Sequence, residues 1–265
     1  MTRSRPRIGA ALRLSVVVHV VAVLLLLLPG FWPLSLAMIV ANHLLLVVAG
    51  LWPRSAVLGP NQRRLSQGAT AANQVALTID DGPDPLVTPQ VLELLDRFGC
   101  KATFFCIGER VIAHSEIARD IARRGHQVEN HTQHHFNYFS LLGPAGMRRE
   151  IDGAQTAIAV AAGVLPRCFR APAGLRNVFL EPVLCELGLR LVSWTRRGFD
   201  TVTNDPERVL ARLTGNLRAG DILLLHDGHA ARTEDGSPVI LKVLPGLLAA
   251  FARLGLKPVT LNEAS

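Results

Sequence analysis

The sequence predicts an α/β fold of parallel strands set behind a membrane-embedded helical hairpin. Three observations carry that prediction. A stretch of 40 residues near the N-terminus has no charged side chain, seven short β-rich runs alternate with helical stretches from Val75 onward, and the unusual polar residues gather where those runs stop.

The hairpin comes first in the chain. Leu14 through Pro53 contains no Asp, Glu, Lys or Arg, the length of two spans at roughly 20 apolar residues each. Pro29-Gly30-Phe31-Trp32-Pro33 breaks it in the middle as a tight turn, which predicts two transmembrane helices within residues 1–52, over 10–28 and 34–51. A cleaved signal peptide is the competing reading of the first run, but no small-x-small cleavage site precedes the second. The basic residues before position 75 are Arg3, Arg5, Arg7, Arg13, Arg54, Arg63 and Arg64, and no acid accompanies them. From there on 21 basic and 21 acidic residues cancel, so the whole net charge of +7 flanks the hairpin. That pattern belongs to a membrane segment and excludes a basic nucleic-acid surface. Arginines lie outside both ends and none in the turn, so the positive-inside rule places the N-terminus and everything after Trp52 on the cytoplasmic side. His19, Asn42 and His43 inside the spans predict helix-to-helix hydrogen bonds. Residues 53–73, with Pro53, Gly59, Pro60 and Gly68, read as a linker.

The expected strands are Val75–Asp80, Ala102–Gly108, His126–His131, Arg167–Arg170, Leu189–Thr195, Asp221–His226 and Leu256–Leu261. Helical punctuation separates them, as at Asp205-Pro206-Glu207. Such alternation predicts parallel strands with helical crossovers, as an open sheet or a barrel. With 49% hydrophobic and 18% charged residues the chain is neither disordered nor a disulfide framework. Cys100, Cys106, Cys168 and Cys185 form no C-x-x-C pair; three of them sit in or beside expected buried elements and read as small core residues suited to a reducing compartment.

Strand ends carry the chemistry. The first run stops at Asp80-Asp81-Gly82-Pro83. Adjacent residues point in different directions there, so one carboxylate can bind a metal while the other handles a proton, although such a dipeptide also marks a capped turn. His131-Thr132-Gln133-His134-His135 closes the third run. His131 and His135 are four apart, which would put both imidazoles on one side of a helical turn, and with a carboxylate they supply three metal ligands. Arg170-Ala171-Pro172-Ala173 offers an Arg to orient a carboxylate and a turn whose N–H could face an oxyanion. Trp194 through Asp200 adds an aromatic wall and a further acid. Leu224-Leu225-His226-Asp227 ends an apolar strand in a histidine placed to act as a general acid.

Taken in order, T-x-D-D-G, H-T-x-x-H, R-x-P, W-x5-D and L-x-H-D resemble the five motifs of the polysaccharide deacetylase family, the NodB-homology or carbohydrate esterase 4 domain, over residues 74–262. The resemblance implies a distorted (β/α) barrel of about seven parallel strands that hydrolyses the N-acetyl amide of an amino sugar with one divalent metal ion, commonly zinc. It implies Asp81, His131 and His135 as metal ligands, Asp80 as general base and His226 as general acid. Arg170 would orient Asp80, Asp200 would support His226, the Ala173 N–H would face the oxyanion, and Trp194 and Leu224 would line the substrate pocket. Two positions depart from the family pattern: Ala173 stands where Tyr is common and Thr201 where Trp is common. That weakens stacking against a sugar ring and favours a short or lipid-linked N-acylated saccharide over a long polymer. A non-catalytic, membrane-tethered carbohydrate-binding protein and an amidohydrolase of a small non-sugar amide are the alternatives.

Overall fold

The computed structural model describes residues 9–264; Arg3, Arg5 and Arg7, which flank the expected hairpin, lie outside them. Eight strands form, β1 (Gln74–Asp80), β2 (Thr103–Cys106), β3 (Gln127–Asn130), β4 (Cys168–Phe169), β5 (Arg190–Leu191), β6 (Arg196–Arg197), β7 (Ile222–His226) and β8 (Lys257–Pro258). The helices are α1 (Ala10–Leu26), α2 (Trp32–Leu51), α3 (Gln67–Ala71), α4 (Thr88–Arg97), α5 (Gly108–Ala113), α6 (Ser115–Arg123), α7 (Pro144–Ala162), α8 (Leu180–Leu187), α9 (Pro206–Thr214) and α10 (Val239–Arg253).

The sheet is parallel, in the order β5-β4-β3-β2-β1-β7-β6, with β8 paired to the start of β1. Its central strands are almost wholly buried, and every residue of β2 and β7 is, as a sheet covered on both faces requires. Alternation then sorts the faces. Leu77, Ile79, Phe104, Leu223 and Leu225 pack outward against α4, α6 and α10 through Val91, Ile121 and Leu247. Thr78, Phe105 and Leu224 are the intervening buried residues. Asp205 caps α9 by accepting from the Glu207 and Arg208 amides, with Pro206 in the first turn, as its sequence signature predicts. Cys100, Cys106 and Cys168 are buried, in keeping with core roles.

One expected strand divides. Instead of a single run over Leu189–Thr195, the chain pairs with one edge of the sheet as β5 and with the opposite edge as β6. The sheet therefore curls until its two edges are separated by only four residues, a parallel half-barrel closed by the chain itself and not by a ladder. Residues 53–73 fill that gap, and they are no loose linker. The Gln62 amide donates to Leu191 O at 2.9 Å, the Ser193 amide donates back to Gln62 O at 2.8 Å, and Leu65 N–H reaches Gly220 O at 3.0 Å. Edge groups that would otherwise stay unpaired are satisfied in this way.

Helices α1 and α2 pack antiparallel. Asn42 Nδ2 donates to Ser15 Oγ at 2.8 Å and Ser35 Oγ to Ala22 O at 2.7 Å. The two histidines differ from expectation: each Nδ1 bonds a carbonyl of its own helix, Ser15 O or Ile39 O, and their rings meet edge-on at 5.3 Å. Among the described residues α2, with 20 residues, is long and apolar enough to cross a membrane, whereas α1, with 17, is shorter. The hairpin's open end is seated on the barrel. Gly50 O accepts from the Arg176 amide at 3.1 Å, and a Cβ on Gly50 would lie 2.2 Å from Arg176 O. The Arg176 guanidinium donates to Ser55 O at 2.6 Å, and Leu58 packs against Ala11 and Ala49.

Candidate active site

Parallel strands deliver their C-terminal ends to one rim, and every sequence-predicted site residue is found there. Asp80 and His226 end the neighbouring strands β1 and β7 as register partners. A cavity of about 550 Å³ opens at this rim, lined by Asp80, Asp81, His131, His135, Ala173, Trp194, Leu224 and His226.

Asp80 is buried and is clamped by Arg170, whose Nη1 donates to Asp80 Oδ1 at 2.6 Å and to Thr78 Oγ1 at 2.8 Å. Arg170 is itself held by Ser193 O at 3.1 Å and Val192 O at 3.3 Å, with its guanidinium 4.1 Å from the Phe105 ring centre. The planar fork is thereby fixed on four oxygens, and it keeps a buried carboxylate supplied with an opposite charge.

Asp81, His131 and His135 converge beside it. Asp81 Oδ1 lies 3.2 Å from His131 Nε2 and 3.3 Å from His135 Nε2. The three candidate ligand atoms all fall within 4.8 Å of one another. His131 Nδ1 sits 2.8 Å from Arg170 O, a carbonyl that can only accept, so Nδ1 carries the proton and Nε2 presents a lone pair. Asp81 Oδ1 is buried and has no hydrogen-bond partner, which is the orphan acceptor that a cation would satisfy. One carboxylate with two imidazoles and an open side is a donor set that fits a divalent ion such as zinc. Burial opposes the charged form of Asp81, yet the imidazoles of His131 and His229 hold its carboxyl well below the usual range. Burial, with the neighbouring His131, pushes His135 down to about 4, so it stays neutral and able to ligate.

The histidines do not share a helical turn. Thr132 and His135 take positive φ, 68° and 53°, in a loop pinned by Asn130 Oδ1 on the Thr132 amide and Thr132 Oγ1 on the His135 amide, both at 2.9 Å. His134 pairs instead with buried Glu150, which accepts from its amide at 2.9 Å and lies 2.8 Å from its ring. These local bonds offset a backbone that costs a non-glycine residue energy.

His226 is gripped twice by fully buried Asp200, through Nδ1 at 2.9 Å and through its own amide at 2.7 Å. Burial disfavours its charged form, but Asp200 outweighs burial and raises the imidazole to about 9. It is therefore a protonated group at neutral pH. Asp227 turns away, accepting from Thr88 Oγ1 at 2.5 Å, and burial lifts its carboxyl to about 7.

Three neighbours of the site escaped the sequence reading. His229 Nδ1 lies 2.9 Å from Asp81 Oδ2, and Arg110 Nη1 donates to Asp81 O at 3.0 Å and to Gly228 O at 3.2 Å. The signal for His229 was present as a second histidine three residues after His226. Phe136 is the third: it stacks on His134 at 5.1 Å and on Tyr138 at 4.8 Å, an aromatic ladder near the rim that the residue pattern at Ala173 and Thr201 does not reveal.

The chain is similar to known proteins. The polysaccharide deacetylase family model matches residues 67–192. A peptidoglycan-N-acetylglucosamine deacetylase of Bacillus cereus is 34% identical over 192 residues, covering 71% of this chain and 86% of that protein. A chitooligosaccharide deacetylase of a Bradyrhizobium species is 36% identical over 168 residues, 63% of this chain and 76% of that protein. The structure of a family 4 carbohydrate esterase from Streptomyces lividans in complex with acetate superimposes with a TM-score of 0.64 at 30% identity, covering 70% of this chain and 91% of that one. The chain belongs to the polysaccharide deacetylase family.

Proposed function

We propose that this protein is a metal-dependent hydrolase that removes an N-acetyl or similar acyl group from an amino sugar, and that the saccharide is presented at the membrane on a lipid. The observation that carries the reading is the meeting, in one cavity, of a clamped carboxylate, a three-ligand cluster with an orphan oxygen, and a protonated histidine. Asp81, His131 and His135 would hold the divalent ion, zinc being the best fit to the donor set. When bound, such an ion polarises the amide oxygen and lowers the pKa of water from about 15.7 toward roughly 7.

The chain's own residues supply the rest. Asp80, held by Arg170, takes the proton of the attacking water as its oxygen bonds to the acyl carbon. The Ala173 N–H assists the charge that develops on the amide oxygen. His226, held upright by Asp200, gives its proton to the departing nitrogen, the C–N bond breaks, and acetate and a free amine leave. Leu224 and Trp194 border the acyl group.

The membrane part of the reading rests on proximity. The active-site turn touches the exit of the hairpin: a Cβ on Gly174 would lie 2.5 Å from Pro53 Cβ and 2.8 Å from the Trp194 ring, and Ser193 Oγ donates to Pro53 O at 3.1 Å. Two spans with both ends cytoplasmic would set this rim at the inner membrane face. The test is acetate release by the full-length, zinc-loaded chain from a panel of N-acetylated saccharides, lipid-linked amino sugars and small non-sugar amides. Turnover confined to small amides, or absent, would overturn the reading.

A further inference from the structure

A second open groove of about 740 Å³ adjoins the catalytic cavity, and Trp194 lines both. Its other walls include Trp52, Arg54, Asn61 and Arg63, and no acidic residue lines it. Arg64, on the same wall, is paired with Asp221 at 2.7 Å, a carboxylate that Arg196 shares. Arg54 and Arg63 are not: their guanidinium groups meet only carbonyl oxygens, Thr195 O at 3.4 Å and Arg54 O at 3.2 Å. Among the described residues no carboxylate lies within ion-pair distance of either. Two like charges are thus held together without compensation.

The loop that carries them is rigidly built. Asn61 Nδ2 donates to Pro53 O at 3.1 Å and to Ser55 O at 3.0 Å, and Arg176 fixes Ser55 O from below. Guanidinium forks left unpaired on a fixed loop suit a tetrahedral oxyanion, which they can grip bidentately. Position supplies the second argument. Trp52 ends α2, the helix able to cross a membrane, and its indole is 63% exposed, as an interfacial anchor would be. The groove therefore lies at headgroup depth, between the membrane surface and the catalytic cavity.

We propose that this groove binds the phosphate of a lipid-phosphate-linked amino sugar, with Arg54 and Arg63 gripping the phosphate while the sugar passes Trp194 into the catalytic cavity. The proposal rests on the deacetylase reading above and assigns its substrate class.

The experiment uses the full chain in phosphatidylcholine nanodiscs and has two arms. In the first, dodecyl phosphate and inorganic phosphate are titrated against tryptophan fluorescence, since Trp52 and Trp194 both border the groove. Dodecyl phosphate should change the signal saturably, inorganic phosphate should not compete at equal concentration, and Arg54→Ala/Arg63→Ala should abolish the response, with Arg54→Lys/Arg63→Lys restoring only part of it, because an ammonium keeps the charge and loses the bidentate fork. Equal competition by inorganic phosphate would mark a free-anion site and overturn the lipid source. A response that survives in the alanine variant would overturn the groove assignment. In the second arm, kcat/KM of the zinc-loaded chain is compared for dodecyl-phosphoryl N-acetylglucosamine and the uncharged dodecyl N-acetylglucosaminide. The phosphate should confer a preference of at least about tenfold, the scale of one charge-assisted contact, and the ratio should collapse toward one, through KM, in the alanine variant. A ratio near one in the natural chain overturns the proposal. If neither compound is hydrolysed, the deacetylase reading fails, and the fluorescence arm still decides the groove.

Discussion

Asp200 holds His226 at two points, taking the backbone amide on one carboxylate oxygen at 2.7 Å and the ring Nδ1 on the other at 2.9 Å. The side chain is thereby fixed in direction and in charge, with Nε2 left to face the cavity. Because Asp200 is five residues beyond Thr195 on the opposite edge of the sheet from β5, this grip also ties the half-barrel's closure to its acid.

The grip makes the alkaline limb of activity predictable. His226 stands near 6.5 when free and about 9 in the fold, so its contribution to stability is complete below pH 6.5 and is lost as pH rises through about 9. Activity that needs the protonated ring should fall as the ring loses its proton. Asp200→Asn should move that limb to lower pH and lower the rate on the order of 10²-fold. A bound cation would lower the same pKa by repulsion, so the limb of the loaded enzyme should lie below the ring's titration midpoint in the metal-free protein. Rate profiles of both proteins, with imidazole NMR of each form, decide it; coincident limbs would remove Asp200 from this role.

The contact of His229 with Asp81 predicts a metal-affinity effect at a residue outside the ligand triad. His229 braces Oδ2 and leaves Oδ1 turned toward His131 and His135. Outer partners of this kind are worth about 10- to 100-fold in affinity. Zinc titration against a competing chelator should show that loss in His229→Ala, while His131→Ala should lose the ion altogether. The natural chain should carry close to one ion, and full occupancy in His131→Ala would discard the ligand assignment.

The Arg170–Asp80 pair predicts unequal costs for its two halves. Arg170→Leu strands a buried carboxylate and should cost about 3–5 kcal/mol, the usual result of breaking a buried pair. Asp80→Asn should cost less, because Arg170 keeps Thr78 Oγ1, Ser193 O and Val192 O, yet it should lose on the order of 10²-fold or more in rate. Denaturant melts of the detergent-solubilised chain measure the first difference and acetate release the second. Equal stability losses would contradict the clamp.

What the sequence made legible follows from parallel-strand geometry. Asp80, His131, Arg170 and His226 each stand at or just past the end of a strand, and a parallel sheet brings such ends to one rim whatever the loops do. Loop conformation was not legible in the same way. The spacing of His131 and His135 fits a helical turn, but side-chain bonds from Asn130 and Thr132 win locally and turn the backbone to positive φ. The division of Leu189–Thr195 between two edges depends on Gln62, more than 120 residues away, taking up the Leu191 and Ser193 hydrogen bonds. Likewise His229 reaches Asp81 across 148 positions, a contact that no local pattern encodes.

The last prediction is the membrane face. An uncharged run of 40 residues is flanked by seven arginines, with none in the Pro29–Pro33 turn. A cationic flank resists passage across the membrane, so both ends of the hairpin should remain cytoplasmic. The seating of the hairpin on the barrel strengthens the consequence: with Gly50 bonded to Arg176 and Pro53 packed on Gly174, the catalytic rim must lie on the face from which α2 emerges. Alkaline phosphatase, active only after export, should therefore be inactive when fused after Ser265, and a reporter active only in the cytoplasm should be active there. Fusion of the phosphatase into the Pro29–Pro33 turn should give the opposite result. Strong phosphatase activity from the C-terminal fusion would put the catalytic rim outside, where a lipid-linked sugar at the inner face is out of reach.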